Sequence, residues 1–171
     1  VQLFGPEAGS LEAGSRRVLE VHRFDALEIN MACPMPKVTR KGAGAALLER
    51  PDEAVRAVRG CASLGVPLWV KVRVLPGGDR EATARFCGAL LEAGAAFLLV
   101  HGRTAGQRYE GRADRESVCD LGRRFPDRIG ASGDLFAPPD ARAYLEGGCA
   151  SVLAARGVVK DPLLVPRILE D

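Results

Sequence analysis

Cys33 stands in the stretch Glu28-Ile29-Asn30-Met31-Ala32-Cys33-Pro34-Met35-Pro36-Lys37-Val38. A short apolar strand, Ala26-Leu27-Glu28-Ile29, turns there into a loop with two prolines. Each proline fixes its own φ, lacks an amide hydrogen and restrains the residue before it. The thiol is therefore expected on a stiff loop just past a strand end, the position where α/β barrels place their chemistry. A single cysteine after a strand is most often a small buried hydrophobe; the flanking prolines and Lys37 favour a chemical role here. Other polar residues recur at strand ends: Lys71, His101, Asp134 and Arg156. In Pro67 to Val74 the two-residue period sends Leu68, Val70, Val72 and Val74 to one face and Trp69, Lys71 and Arg73 to the other. In an antiparallel sheet that second face would be solvated. In a sheet covered by helices its charges point inward and meet an anionic or polar ligand.

Something must position these groups. The chain has 171 residues, enough for one domain with a real core, and is 47% hydrophobic and 27% charged. Aromatics make up only 5%, so Ala, Val and Leu must build the core. A formal charge of +2 neither demands nor excludes nucleic acid, since a local basic patch matters more than the sum. Five widely spaced cysteines give neither a disulfide framework nor a Cys-x-x-Cys metal pair, so no metal site is expected. They suit a reducing compartment. No run approaches the ~20 apolar residues of a membrane span, and no signal peptide is visible. The expectation is a soluble cytoplasmic protein without membrane contact.

Along the chain, Val1 to Gly5 reads as a strand, and a start inside a strand without Met suggests a fragment. A weak amphipathic helix is expected over residues ~10–22. After the Cys33 loop, Pro51-Asp52-Glu53 opens a helix that Gly65 ends. Pro67 to Val74 is the clearest strand, followed by a helix over ~80–93. The apolar strand Ala95 to His101 runs into Gly102-Arg103-Thr104. Asp114 caps a helix through Leu121, and Arg128 to Ala131 leads into Ser132-Gly133-Asp134. A short helix spans Asp140 to Leu145, Ala150 to Ala154 runs into Ala155-Arg156-Gly157, and Asp161-Pro162 opens a last helix. Six strand–helix units imply right-handed βαβ connections and a parallel sheet, in either a doubly wound fold or most of a (β/α)8 barrel. No Gly-x-Gly-x-x-Gly follows the first strand, and polar residues at strand end after strand end favour the TIM-type barrel.

Asn-Met-x-Cys-Pro-x-Pro-Lys-Val resembles the active-site loop of the tRNA-dihydrouridine synthases, flavin enzymes that reduce uridines in tRNA. The resemblance continues through the glycines and alanines of Gly42 to Leu48, Val70 to Arg73 (Val-Lys-x-Arg) and His101 to Thr104 (His-Gly-Arg-Thr). It extends to Gln107, Tyr109, Gly111, Ala113 and Asp114, then Gly133-Asp134, and so covers nearly the whole chain. It implies that residues 1–171 are part of an FMN-binding barrel, strands three to eight. Two upstream strands and a downstream helical domain of the family have no counterpart here.

Carried across, Cys33 is similar to the general acid that protonates C5 of the uracil while hydride from the reduced flavin reaches C6. An ordinary free thiol, with a pKa near ~8.5, keeps its proton at neutral pH and can give it up. The resemblance makes Gln2, Asn30, Lys71 and His101 flavin contacts, with Lys71 a cation beside the flavin's pyrimidine edge. Barrels bind phosphate with the loops after strands seven and eight, which assigns Ser132-Gly133-Asp134 and Ala155-Arg156 to the FMN phosphate. Ser132, Ala155 and Ala32 depart from the family's usual Asn, Gly and Gly. Lys37 and Arg103, with Arg40 and Lys41, are expected at the mouth to hold tRNA phosphates, although Arg40 reads equally well as a solvated loop charge. His22, Cys61, Cys87, Cys119 and Cys149 read as structural. The resemblance implies NADPH or NADH as reductant, tRNA as partner and no protein partner. Two alternatives stand beside it: a free-pyrimidine flavin oxidoreductase of the dihydroorotate or dihydropyrimidine dehydrogenase kind, and a flavin-free RNA-binding remnant.

Overall fold

In a computed structural model, which describes residues 1–170, six parallel strands form one sheet in the order in which they occur along the chain. They are β1 (Gln2–Leu3), β2 (Leu27–Asn30), β3 (Leu68–Arg73), β4 (Phe97–His101), β5 (Ile129–Ser132) and β6 (Ser151–Leu153). Sequential order decides between the two expected folds. A doubly wound sheet reverses its strand order at a switch point, whereas a barrel adds each strand beside the last. The helices between strands are α1 (Ala8–Val21), α2 (Pro36–Thr39), α3 (Pro51–Ala62), α4 (Arg80–Glu92), α5 (Arg115–Arg124) and α6 (Pro138–Glu146). After β6 come α7 (Arg156–Lys160) and α8 (Leu164–Glu170).

The alternation read in β3 is real. Leu68, Val70 and Val72 are no more than 1% exposed and pack in one core with Leu27, Ile29, Leu98, Val100 and Ile129. On the opposite face Trp69 packs against Phe97, their rings 5.5 Å apart. Asp114 caps α5, its carboxylate accepting from the Ser117 amide at 3.0 Å. Cys61, Cys87, Cys119 and Cys149 are all buried free thiols, and no group of acids, histidines and cysteines could hold a metal among the described residues. No described helix is long and apolar enough to cross a membrane.

Two expectations need correction. The stretch after Cys33, expected as a loop, is helical from Pro36: that proline occupies the first turn of α2, where its missing amide costs nothing, and Lys37 sits on that helix. The segment Ala155-Arg156-Gly157, expected as a loop, opens a helix, and the last helix expected from Asp161 starts a few residues later. α7 starts at Arg156, directly beyond β6, and α8 begins only at Leu164.

Candidate active site

The register of the sheet sets the site. Asn30 lies opposite Lys71, Arg73 opposite His101, His101 opposite Ser132, and Ser132 opposite Leu153. Five strand ends are thereby brought side by side, and with their following loops they line one cavity of about 220 Å³. Asn30, Cys33, Lys71, His101, Ser132, Gly133, Asp134, Ala155 and Arg156, all singled out from the sequence, face it together.

At the Cys33 end, the Asn30 side-chain oxygen accepts the amides of Ala32 and Cys33, both at 2.9 Å. This closes the chain into a tight Asx-type turn and fixes where the thiol leaves the strand. Asn30 donates in turn to the Gln2 side chain at 3.0 Å. Gln2 itself does not line the cavity. The Cys33 carbonyl accepts from the Ala45 amide at 2.9 Å, beneath a close approach by Gly44. Gly44 has φ +61°, and a Cβ there would lie 2.7 Å from the Cys33 oxygen, so the glycine is required. Cys33 itself is partly exposed, whereas the other four free thiols are buried.

Arg73, which the sequence marks only as an inward charge, is 3% exposed. Its partners are backbone carbonyls: Ala32 at 2.8 Å, Thr104 at 3.0 Å and Arg108 at 2.9 Å. One guanidinium thus ties the residue before Cys33 to the loop that follows β4. The planar fork of donors is what allows this, and a lysine could not reproduce it.

His101 is neutral. Its Nδ1 accepts the Arg103 amide at 3.1 Å, which leaves the proton on Nε2. Burial first, then the positive charges of Arg73, Arg103, Lys71 and Arg156, push its pKa down to about 3. An imidazolium at this position is therefore excluded near neutral pH, and His101 cannot replace Cys33 as a cationic acid.

Arg103 corrects an expectation. It is 2% exposed rather than at the mouth, and donates to the carbonyls of Glu110 at 3.0 Å and Gly111 at 2.6 Å. It also pairs with Asp134 at 2.7 Å. A guanidinium so enclosed is a clamp for the loop after β4 and is not free for an RNA phosphate. Lys37, by contrast, is exposed on α2 but does not line the cavity.

Asp134 is the centre of the other end. It takes Arg103 on one side, Arg156 at 3.1 Å on the other, and the Ala113 amide at 2.8 Å. Burial raises its pKa, but the Arg103 bond, the Ala113 amide and the two arginine charges outweigh this, and the carboxyl ends below its ordinary range. Gly133 before it has φ +117°, and the Tyr144 hydroxyl donates to its carbonyl at 3.0 Å. The buried Ser132 hydroxyl, which lines the cavity, has no hydrogen-bond partner. Sequence reasoning gave no role to Tyr109 and Phe136, which also line the cavity; an aromatic residue in a loop carries no periodic signal.

The dihydrouridine synthase (Dus) family profile matches residues 1–170. The chain is 34% identical over 178 residues to a probable tRNA-dihydrouridine synthase of Treponema pallidum, covering 96% of this chain and 52% of that protein. This chain belongs to the dihydrouridine synthase family. It is also 34% identical to a tRNA-dihydrouridine(16) synthase of Neisseria meningitidis, over 98% of this chain and 51% of that protein. It thus spans about half the length of these curated relatives. Among solved structures, the DHODH of Eimeria tenella in complex with ferulenol superposes with a TM-score of 0.71. That match covers 95% of this chain and 52% of the other at 18% identity, and speaks for the barrel fold alone.

Proposed function

We propose that residues 1–171 form part of the catalytic barrel of an FMN-dependent tRNA-dihydrouridine synthase, with NADPH or NADH as reductant. The observation that carries this is the single cavity into which Cys33, Lys71, His101, Ser132, Asp134 and Arg156 converge. Its residues fit an FMN. Arg156 and the unpartnered Ser132 hydroxyl supply the donors a phosphate needs, and Lys71 supplies the cation an electron-rich ring needs. The bound flavin supplies hydride to C6 of the uracil.

Hydride arriving at C6 leaves negative charge at C5, which must take a proton. Cys33 is the partly exposed thiol at the Asn30 end of the cavity, and its loop holds it there. Pro34, Met35 and Pro36 have no acidic hydrogen, and His101 is neutral. Cys33 therefore gives up the proton, and solvent restores it. His101, with its proton on Nε2, offers one neutral donor to the ligand, while Lys71 keeps the ring end electropositive. The target base must leave its stack to reach this depth, because its C5 and C6 are covered in a helix.

The test uses the full-length protein. A yellow flavin spectrum with dihydrouridine formed in tRNA, read by mass spectrometry, is the expected result. A colourless protein that binds tRNA would instead make it an RNA-binding remnant. Reduction of free uracil or oxidation of dihydroorotate, without action on tRNA, would make it a pyrimidine oxidoreductase.

A further inference from the structure

A guanidinium offers N–H donors on all three of its nitrogens, and Arg73 does not use them all. Its Nε donates to the Ala32 carbonyl, and its Nη1 to those of Thr104 and Arg108. The Nη2 group has no hydrogen-bond partner among the described residues, yet it is not sealed in the protein as the unpaired Ser132 hydroxyl is. Arg73 is buried and lines the cavity, so the little of it that stays open faces that space. Its charge is uncompensated as well. Arg103 has Asp134 beside it, whereas Arg73 makes no ion pair among the described residues. Burial pulls the Arg73 pKa down, the mark of a cation held away from water. A buried positive charge with free donors and no carboxylate suits a ligand that becomes negative while it reacts.

The place of Arg73 in the fold points to the ligand atom. Lys71 and Arg73 lie two residues apart on β3, and both line the cavity. Arg73 therefore stands about 6–7 Å beyond Lys71 towards the C-terminal end of the strand. There it holds the carbonyl of Ala32, the residue before Cys33. This is the end of the cavity assigned to the uracil. Hydride reaching C6 sends the electron pair of the C5–C6 double bond through C5 onto O4, on the neighbouring ring carbon, as an enolate. Proton transfer from Cys33 to C5 restores the C4–O4 double bond, and solvent reprotonates the thiolate. The uracil gains the two electrons that the flavin loses. We propose that Arg73 is a second catalytic residue, its Nη2 group donating to O4 of the target uracil and holding the negative charge there until C5 is protonated. O4 is the fitting acceptor because C4 adjoins C5, the atom Cys33 must reach, and Arg73 is tied to the turn that carries Cys33. The inference rests on the proposed reduction of uracil.

The full-length enzyme tests it, with tRNA carrying at the target position either uridine or its analogue with sulfur in place of O4. Reoxidation of the prereduced flavin by tRNA, followed by stopped-flow, reads hydride transfer. With uridine, Arg73→Ala should slow it by ~10²–10³, the usual effect of removing one donor to a developing oxyanion. With the sulfur analogue most of the difference between wild type and variant should vanish, because sulfur is a weak hydrogen-bond acceptor. The same loss on both substrates would reduce Arg73 to a tie between loops and overturn the inference. A comparable loss in flavin reduction by the nicotinamide cofactor would place Nη2 on the flavin and overturn it too. A second measurement needs no variant and decides the matter where Arg73→Ala does not fold. With a heavy carbon isotope at C4 of the target uridine, the C4–O4 stretch in infrared spectra should lie lower in the complex with the oxidised wild-type enzyme than in free tRNA, because a charge-assisted bond replaces one to water. An unshifted band would overturn the inference and leave the proposed function standing. A wild-type enzyme whose reduced flavin tRNA does not reoxidise would remove that function first.

Discussion

The Cys33 end of the cavity and the Asp134 end are held by different forces. Around Cys33 the fixing bonds run from neutral amides to the Asn30 oxygen, with Arg73 reaching only carbonyls. Around Asp134 one carboxylate is shared by two guanidiniums and an amide. Bonds of the first kind do not titrate and respond little to salt. Those of the second exist only while the carboxyl is ionised, and losing one partner strands a buried charge. The end assigned to proton transfer thus keeps its geometry as pH changes, and the end assigned to the phosphate is poised by charge.

The sharpest way to break this contrast is at the thiol. In the full-length enzyme, Cys33→Ala should lose ~10²–10⁴ in dihydrouridine formation, the usual effect of removing a positioned general acid. Flavin content and its reduction, followed by stopped-flow, should stay near wild type. Unimpaired dihydrouridine formation would return Cys33 to the status of a core thiol. At the other end Asp134→Asn should act on stability instead. It leaves Arg103 buried without its counter-charge, and chemical denaturation should show a loss of about 3 kcal/mol. A change below about 0.5 kcal/mol would mean that the Glu110 and Gly111 carbonyls suffice for Arg103.

The pH profile separates the ends further. A histidine held neutral at a pKa of about 3 must take up a proton when the chain unfolds in mild acid. Its unfolded pKa is near 6.5, so stability should fall progressively as pH drops from about 6.5 towards 3, as the unfolded state binds the extra proton. His101→Gln should flatten that part of the denaturation midpoint plotted against pH. Asp134 has the opposite origin but the same sign. Its folded pKa is depressed, so its contribution is complete above about 4 and is lost as pH falls below that. Smallest is Asn30→Ala, which releases the Ala32 and Cys33 amides in a part-exposed turn. About 1 kcal/mol of stability should go, with a measurable change in the alkylation rate of Cys33; an unchanged rate would mean that Arg73 and Gly44 hold the turn without it.

The order of strands and helices was legible in the sequence because each unit carries a local signal. The two-residue alternation of β3 marks the strand, Asp114 marks a helix start, and glycines mark the ends. The strand-end polar residues were legible for the same reason, since a charge or thiol directly after an apolar run stands out. The fate of each such group depended on neighbours far away in the chain. Arg73 and Arg103 are both arginines at strand ends, and nothing local says that one would bind the carbonyls of Ala32, Thr104 and Arg108, or that the other would be sealed under Glu110 and Gly111. His101 is neutral because it is buried and because four positive side chains from β3, the loop after β4 and α7 gather around it, and both follow from the tertiary packing. Sequence by itself determined which residues could do chemistry and that they lie at strand ends. Only the tertiary structure decided which of them stay available and which are spent holding the loops, because hydrogen-bond partners and desolvation are set by what packs alongside rather than by what precedes or follows along the chain.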